Sequence, residues 1–250
     1  MKRAREKKAT KGTPGARGAS PSAAGGGYWA PTPASDLRER TIEVPVPGTG
    51  RVLRLSTASH TFSRSRLDPG SALLIRAVTE DPVTAECPPA RILDLGAGYG
   101  AVGLALAARY PQATVDLVEV NARAAECARR NAAAEALDRV RIFAEDVAQF
   151  QIDPRGYDVV VTNPPIRAGR SIYGPWLLGA QTFLPPTPRV GRFYFVARTS
   201  QGARTLEELL RTALPDAETI ERESGYRVIR GTGNAPPAER RQPKALREKP

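Results

Sequence analysis

The chain is predicted to be an α/β protein, a mostly parallel sheet covered by helices on both faces. Two observations carry that expectation. Apolar, β-branched runs alternate through the middle of the chain with helical segments of roughly ten to fifteen residues, the rhythm of repeated strand-helix-strand crossovers. The first of these strands, with Ile92, Leu93, Asp94 and Leu95, breaks into Gly96, Ala97, Gly98, Tyr99 and Gly100 and then enters an alanine-rich helix over residues 101–109. Strand, glycines and helix make a nucleotide-binding turn, because glycines let backbone approach a ligand and a helix start presents free N–H groups.

Taken in order, residues 1–40 are rich in Lys, Gly, Ala, Pro and Ser and read as a disordered basic arm. The alternation Ile42, Val44, Val46 predicts a strand, and residues 51–56 predict its partner across the turn Pro47, Gly48, Thr49, Gly50. Asp68 as N-cap with Pro69 at the first position opens a helix reaching about Thr79. Residues 81–90, with three prolines, read as a linker. Beyond the glycine loop come a strand over 114–120, a helix over 122–136, and strands over 140–144 and 158–162. A helix over 172–184, a strand over 192–197 and a helix over 204–214 follow. Residues 218–223 and 226–230, separated by Ser224 and Gly225, predict an antiparallel hairpin at the sheet edge. The expected organisation is an arm over 1–40, one folded domain over 41–231 and a disordered basic tail over 232–250.

Composition narrows the function. A chain of 250 residues with 41% hydrophobic content buries one sizeable core. No run approaches eighteen apolar residues, and the basic N-terminus has no apolar segment after it, so a cytoplasmic location is expected. Cys87, Cys127 and a single His60 are too few for a disulfide framework or a zinc site, and no metal is expected. Of the net charge of +11, residues 1–17 contribute +6 and residues 231–250 contribute +3, leaving +2 for the middle. Basic arms of this kind suit loose phosphate contacts that weaken with salt.

The chemistry concentrates after the strand over 158–162. Asn163 there precedes Pro164 and Pro165, which forbid further pairing, so the strand ends in an acceptor-rich corner suited to a planar amino group. The other strand ends supply acids. Glu119, next to Val120, is placed to accept from ribose hydroxyls; Asp146, next to Val147, can accept from an adenine amine; Asp94 can hold an ammonium group. A pocket so lined is negative. It suits S-adenosylmethionine, with its sulfonium and ammonium, better than a pyrophosphate.

In this pattern the sequence resembles the class I S-adenosylmethionine-dependent methyltransferases. More narrowly, it resembles the small-domain methyltransferase family that includes bacterial ribosomal RNA guanine-N2 methyltransferases. The likeness spans about residues 41–231 and rests on four stretches. They are Phe62 and Ser63 with Leu67 to Ser71, the glycine loop, Asn163 to Arg170, and Gly225 to Arg230. The resemblance implies a Rossmann-like sheet of seven strands in the order 3-2-1-4-5-7-6, preceded by the small hairpin. It implies a cofactor site of Asp94, Gly96, Ala97, Gly98, Tyr99, Gly100, Glu119, Val120, Asp146, Val147 and Asn163. It also implies a catalytic corner of Asn163, Pro164, Pro165 and Ile166, with Asn163 and the Pro164 carbonyl on the target amine. Duplicated members carry a degenerate domain in front, for which 250 residues is short. Arg167, Arg170 and Phe62 are then the candidate substrate contacts.

The expected activity is methyl transfer to guanine N2 in ribosomal RNA of the small subunit, by a monomer that needs no membrane. Related corners act on adenine N6 or on a glutamine amide, with an aromatic residue where this chain has Ile166. A non-catalytic RNA-binding protein that kept the fold is the alternative from another class.

Overall fold

The structure, a computed structural model, describes residues 40–57 and 66–233. The arm and tail expected over 1–40 and 232–250 lie outside the described residues except at Arg40, Thr232 and Gly233. Strands β1 (Arg40–Pro45) and β2 (Val52–Thr57) pair antiparallel as a separate hairpin. Helix α1 (Pro69–Thr79) follows, with Asp68 as its N-cap accepting from the Ser71 amide. Residues 81–90 do not run as a plain linker. They hold a short helix α2 (Pro82–Glu86), because Asp81 caps it and Pro82 stands at its start, the same device that opens α1.

The main sheet is built from β3 (Arg91–Leu95), β4 (Thr114–Val118), β5 (Val140–Phe143), β6 (Val159–Thr162), β7 (Gly191–Arg198), β8 (Glu218–Glu223) and β9 (Tyr226–Gly233). Its order is β5-β4-β3-β6-β7-β9-β8. Numbered from its own first strand that is 3-2-1-4-5-7-6, as expected. The pairs β3 with β4, β3 with β6, β4 with β5 and β6 with β7 are parallel, while β9 runs antiparallel between β7 and β8. Crossovers are made by α3 (Ala101–Arg109), α4 (Ala122–Ala134), α5 (Arg170–Leu178), α6 (Ala180–Phe183) and α7 (Ala203–Ala213).

Period-two alternation along the strands sorts the core into two layers. Ile92, Val115, Leu117, Val159, Val161, Tyr194 and Val196 face a cluster shared with α1, α3 and the hairpin. Leu93, Leu95, Val118, Val160, Phe193 and Phe195 face the other, beneath Trp176, Leu206 and Leu210. The helix expected over 172–184 starts earlier, after a 3-10 turn at Ile166–Ala168, and breaks at Gly179. Its α5 segment tolerates Pro175 inside. Strand β9 outruns the expected domain end because Thr232 and Gly233 still pair with Arg192 and Gly191.

The proline-rich turn over 185–190 packs at the opposite end of the sheet from the Asn163 corner, where Arg189 ion-pairs with Asp158 just before β6. Among the described residues no helix is long and apolar enough to cross a membrane.

The hairpin is fastened to the domain by polar contacts as well as apolar ones. Asn131 on α4, 2% exposed, receives the Ser56 amide through Oδ1 and donates Nδ2 to the carbonyls of Ser56 and Tyr99. The Arg54 amide donates to Glu135. Removing Asn131 strands several buried groups at once. Asn131→Ala is expected to lower stability by about 2–4 kcal/mol, measured by urea unfolding. A loss under about 0.5 kcal/mol would mean that apolar burial alone holds the hairpin.

Candidate active site

The site forms where β3, β4 and β6 end, at the carboxyl edge of the parallel sheet. Residues more than sixty positions apart meet there. The Thr162 hydroxyl donates to the Leu95 carbonyl at 2.8 Å, tying the tip of β6 to the tip of β3. Gly96 adopts a φ of +69°, and a Cβ on it would lie 3.2 Å from the Trp176 indole and 4.0 Å from Pro165. The glycine loop and the proline corner therefore lie side by side. Gly98 and Gly100 also have positive φ, and no side chain caps the start of α3 at Gly100.

Two carboxylates stand at these strand ends, and both are buried. Glu119 is 3% exposed; Oε2 accepts from the Gly98 amide at 2.8 Å and Oε1 from the Asn121 amide at 2.8 Å. It shapes the loop as well as the pocket. Asp94 is 2% exposed and accepts from the Gly103 amide at 2.8 Å, an approach that the missing Cβ of Gly103 permits. Burial raises the carboxyl pKa of Glu119, against the pull of its two amides. Burial pushes Asp94 up to about 7, opposed by the Gly103 amide and reinforced by the Glu119 charge. No basic side chain contributes to either shift. Such a pair favours a cationic guest.

At the corner, the Asn163 amide is held by its nitrogen. Nδ2 donates to Asp68 Oδ2 and to Ser71 Oγ, each at 2.9 Å. Because a carboxylate only accepts, the NH₂ must face Asp68 and the carbonyl must face away. No donor reaches Asn163 Oδ1 among the described residues. Asp68 Oδ1 in turn accepts from the Tyr226 hydroxyl at 3.2 Å, and burial keeps that phenol protonated by raising its pKa. The Pro164 carbonyl is less open than the sequence suggests, since it accepts from the Ile166 amide at 2.8 Å and retains one lone pair.

The remaining expected residues divide. Ala97 and Val120 are half-buried at the rim, and Ile166 packs partly against the Trp176 layer. Tyr99 turns its ring into the core, so its share in a ligand site is limited to backbone. Val147 is buried in the other core layer, and Asp146 is exposed in a turn beyond β5, accepting from the Ala148 amide. Arg167 and Arg170 are exposed beside the corner. Phe62 lies outside the described residues. Sequence reasoning missed Asp68, Ser71 and Tyr226 as site residues, and Trp176 as the cover of the glycine loop. Asp68 was legible only as a helix cap; that a cap carboxylate has lone pairs to spare was the available signal. Among the described residues no group of three or more His, Cys, Asp or Glu is placed to hold a metal ion.

The donor set fits S-adenosylmethionine: the acids suit its cationic groups, and the loop leaves room for close backbone contact. Comparison with known proteins points the same way. The methyltransferase small domain matches residues 52–230. The protein YbxB of Bacillus subtilis (strain 168) is 30% identical over 172 residues, covering 69% of this chain and 82% of its own length. Ribosomal RNA small subunit methyltransferase C of Hahella chejuensis is 35% identical over 117 residues, 47% of this chain and 32% of that protein. A tRNA1(Val) (adenine(37)-N6)-methyltransferase of Porphyromonas gingivalis is 42% identical over 91 residues, 34% of this chain and 35% of that protein. Among solved structures, the T. thermophilus 16S rRNA N2 G1207 methyltransferase in complex with AdoMet and guanosine superposes with a TM-score of 0.66 at 25% identity. The superposition covers 80% of this chain and 52% of that one. The chain thus spans most of YbxB but a third to a half of the proteins with named substrates.

Asp94 makes stability depend on pH in a defined direction. Its folded pKa of about 7 lies above the ordinary carboxylate value, so the folded state binds the extra proton in between. Its contribution is full below about pH 4 and is lost as pH rises through about 7. The ligand-free protein should show a melting temperature that falls across that window, and Asp94→Asn should flatten the fall. An Asp94→Asn profile with the wild-type slope would assign the proton elsewhere.

Proposed function

The chain belongs to the methyltransferase small domain family, and on that premise we propose that it methylates the exocyclic N2 amine of a guanine in small-subunit ribosomal RNA. It is a methyltransferase whose cofactor is S-adenosylmethionine. The observation that carries the finer reading is the clamp on Asn163: both amide hydrogens are engaged, and the carbonyl is left as an oriented acceptor beside the cofactor loop.

When bound, S-adenosylmethionine supplies an electrophilic methyl group on a cationic sulfur. Asp94 and Glu119 provide the negative cleft that receives such a group. Asn163 Oδ1 accepts one hydrogen of the target amine, and the free lone pair of the Pro164 carbonyl accepts the other. A guanine amine is a weak nucleophile because its lone pair is delocalised into the ring. Drawing its two hydrogens aside turns the lone pair toward the methyl. Alignment of this kind can supply roughly 7–11 kcal/mol of the barrier. No strong base is called for, because the methylated nitrogen would be acidic enough to lose its extra proton to water, with the neutral thioether as leaving group; a base stacked in a duplex must flip out to reach the corner.

Ile166 favours guanine over adenine, because the related adenine corners described above stack the base on an aromatic residue at that position. The guanosine bound in the T. thermophilus relative supports the same choice. Adenine N6 is the second reading, supported by the P. gingivalis relative.

Asn163→Ala should leave cofactor affinity near wild type in calorimetry and cut the single-turnover rate by about 100-fold or more, the usual cost of losing one aligned polar group. Glu119→Ala should weaken cofactor binding first. The substrate is read by incubating the protein with labelled S-adenosylmethionine and undermethylated small-subunit particles, then mapping the methylated base by mass spectrometry. Label on adenine, or on protein alone, overturns the guanine reading; an Asn163→Ala enzyme at wild-type speed removes Asn163 from the chemistry.

A further inference from the structure

One charged side chain at the rim is connected to the corner and left open to solvent. Arg198 ends β7, and its Nε donates to the Tyr226 hydroxyl at 2.8 Å. Its guanidinium also lies over the Tyr226 ring, 4.6 Å from the centroid. The Tyr226 hydroxyl donates a hydrogen bond to Asp68, and Asp68 accepts from Asn163. The polar chain from solvent to the corner thus runs Arg198, Tyr226, Asp68, Asn163. Arg198 remains exposed and forms no ion pair among the described residues, its one side-chain hydrogen bond being that to Tyr226.

Its position is set by register. Thr162 on β6 lies beside Phe195 on β7, so Asn163 falls level with Val196, and Arg198 stands two residues further out on the same rim. At strand rise that is about 7 Å beyond the corner. Arg198 and Tyr226 are direct partners across β7 and β9, so they share the face on which α1 presents Asp68. A guanidinium fixed at one edge by a phenol, stacked on its ring and open at its other nitrogens is pre-set to grip an anion in a forked geometry.

We propose that Arg198 binds a backbone phosphate of the RNA next to the target nucleotide, and that Tyr226 and Asp68 couple this grip to the orientation of Asn163. The inference rests on the RNA reading above. Arg198 is a phosphate contact, and Tyr226 is a positioning residue that touches neither base nor cofactor. Phosphate engagement stiffens the Arg198 guanidinium, which stiffens the phenol and so the carboxylate that aims Asn163. A nucleic acid seated in register therefore holds the clamped corner more firmly than a free nucleoside does.

The test uses the full chain and a fluorescent fragment of undermethylated ribosomal RNA, with affinity read by anisotropy at several salt concentrations. Arg198→Ala should weaken binding about tenfold and reduce the slope of log affinity against log salt by about one, the signature of one lost phosphate contact. Arg198→Lys should keep the wild-type slope. Tyr226→Phe should keep both affinity and slope while lowering the single-turnover methylation rate. Cofactor affinity, measured by calorimetry, should stay at wild type in all three, which separates the effect from misfolding. Arg198→Ala with the wild-type salt slope overturns the phosphate contact, and Tyr226→Phe at the wild-type rate overturns the coupling. Wild-type protein that binds RNA without methylating it would instead sink the reading of function, while the salt slope still decides the role of Arg198.

Discussion

The hydrogen bond between Asp68 and Asn163 is the constraint on which the rest of the site depends. One carboxylate caps α1 through the Ser71 amide, orients the Asn163 side chain and receives the Tyr226 hydroxyl. A carboxylate has about four lone-pair sites, so three donors can share it without competition. Because α1 is packed against α3 and the strands β7 and β9, its first turn cannot drift without carrying the corner along. The folding of the N-terminal part of the domain and the aim of the candidate catalytic group are in this way one event.

The cleft beside it is built on a cost. Burying Asp94 and Glu119 with no cation among the shifting groups disfavours their charged forms, and only backbone amides offset this. Those amides belong to the glycine loop, the turn after β4 and the first turn of α3, so the acids also hold the loop in shape. A bound cation relieves the strain that the empty charges create. The same buried acids that destabilise the ligand-free protein near neutral pH suit a cationic cofactor better than a phosphate-bearing one.

The α/β class, the hairpin, the glycine loop and the corner were all legible because each rests on local chemistry. Two prolines stop a strand wherever it lies, Asp68 before Pro69 starts a helix, and period-two apolar alternation marks a buried strand. Errors fell where a local signal was short or shared. The stretch over 81–90 hides a five-residue helix behind its prolines, and the stretch over 172–184 hides a break at Gly179. Tyr99 and Val147, expected at the cofactor site, turn their side chains into the core, which leaves only their backbone for such a contact.

By itself, then, the amino-acid sequence determined most of the elements that form, which acids end the strands, and that Asn163 terminates β6, since propensity, capping and periodicity act within a few residues. Only the tertiary structure decided which way Asn163 points, that Pro164 has a single lone pair to spare, that Trp176 lies over Gly96, and that hydrogen bonds through Tyr226 and Asp68 join Arg198 to the corner. Those facts depend on groups as far apart as Asp68 and Tyr226. Hydrogen-bond partners at such separations are selected by packing of the whole sheet and leave no periodic trace along the chain.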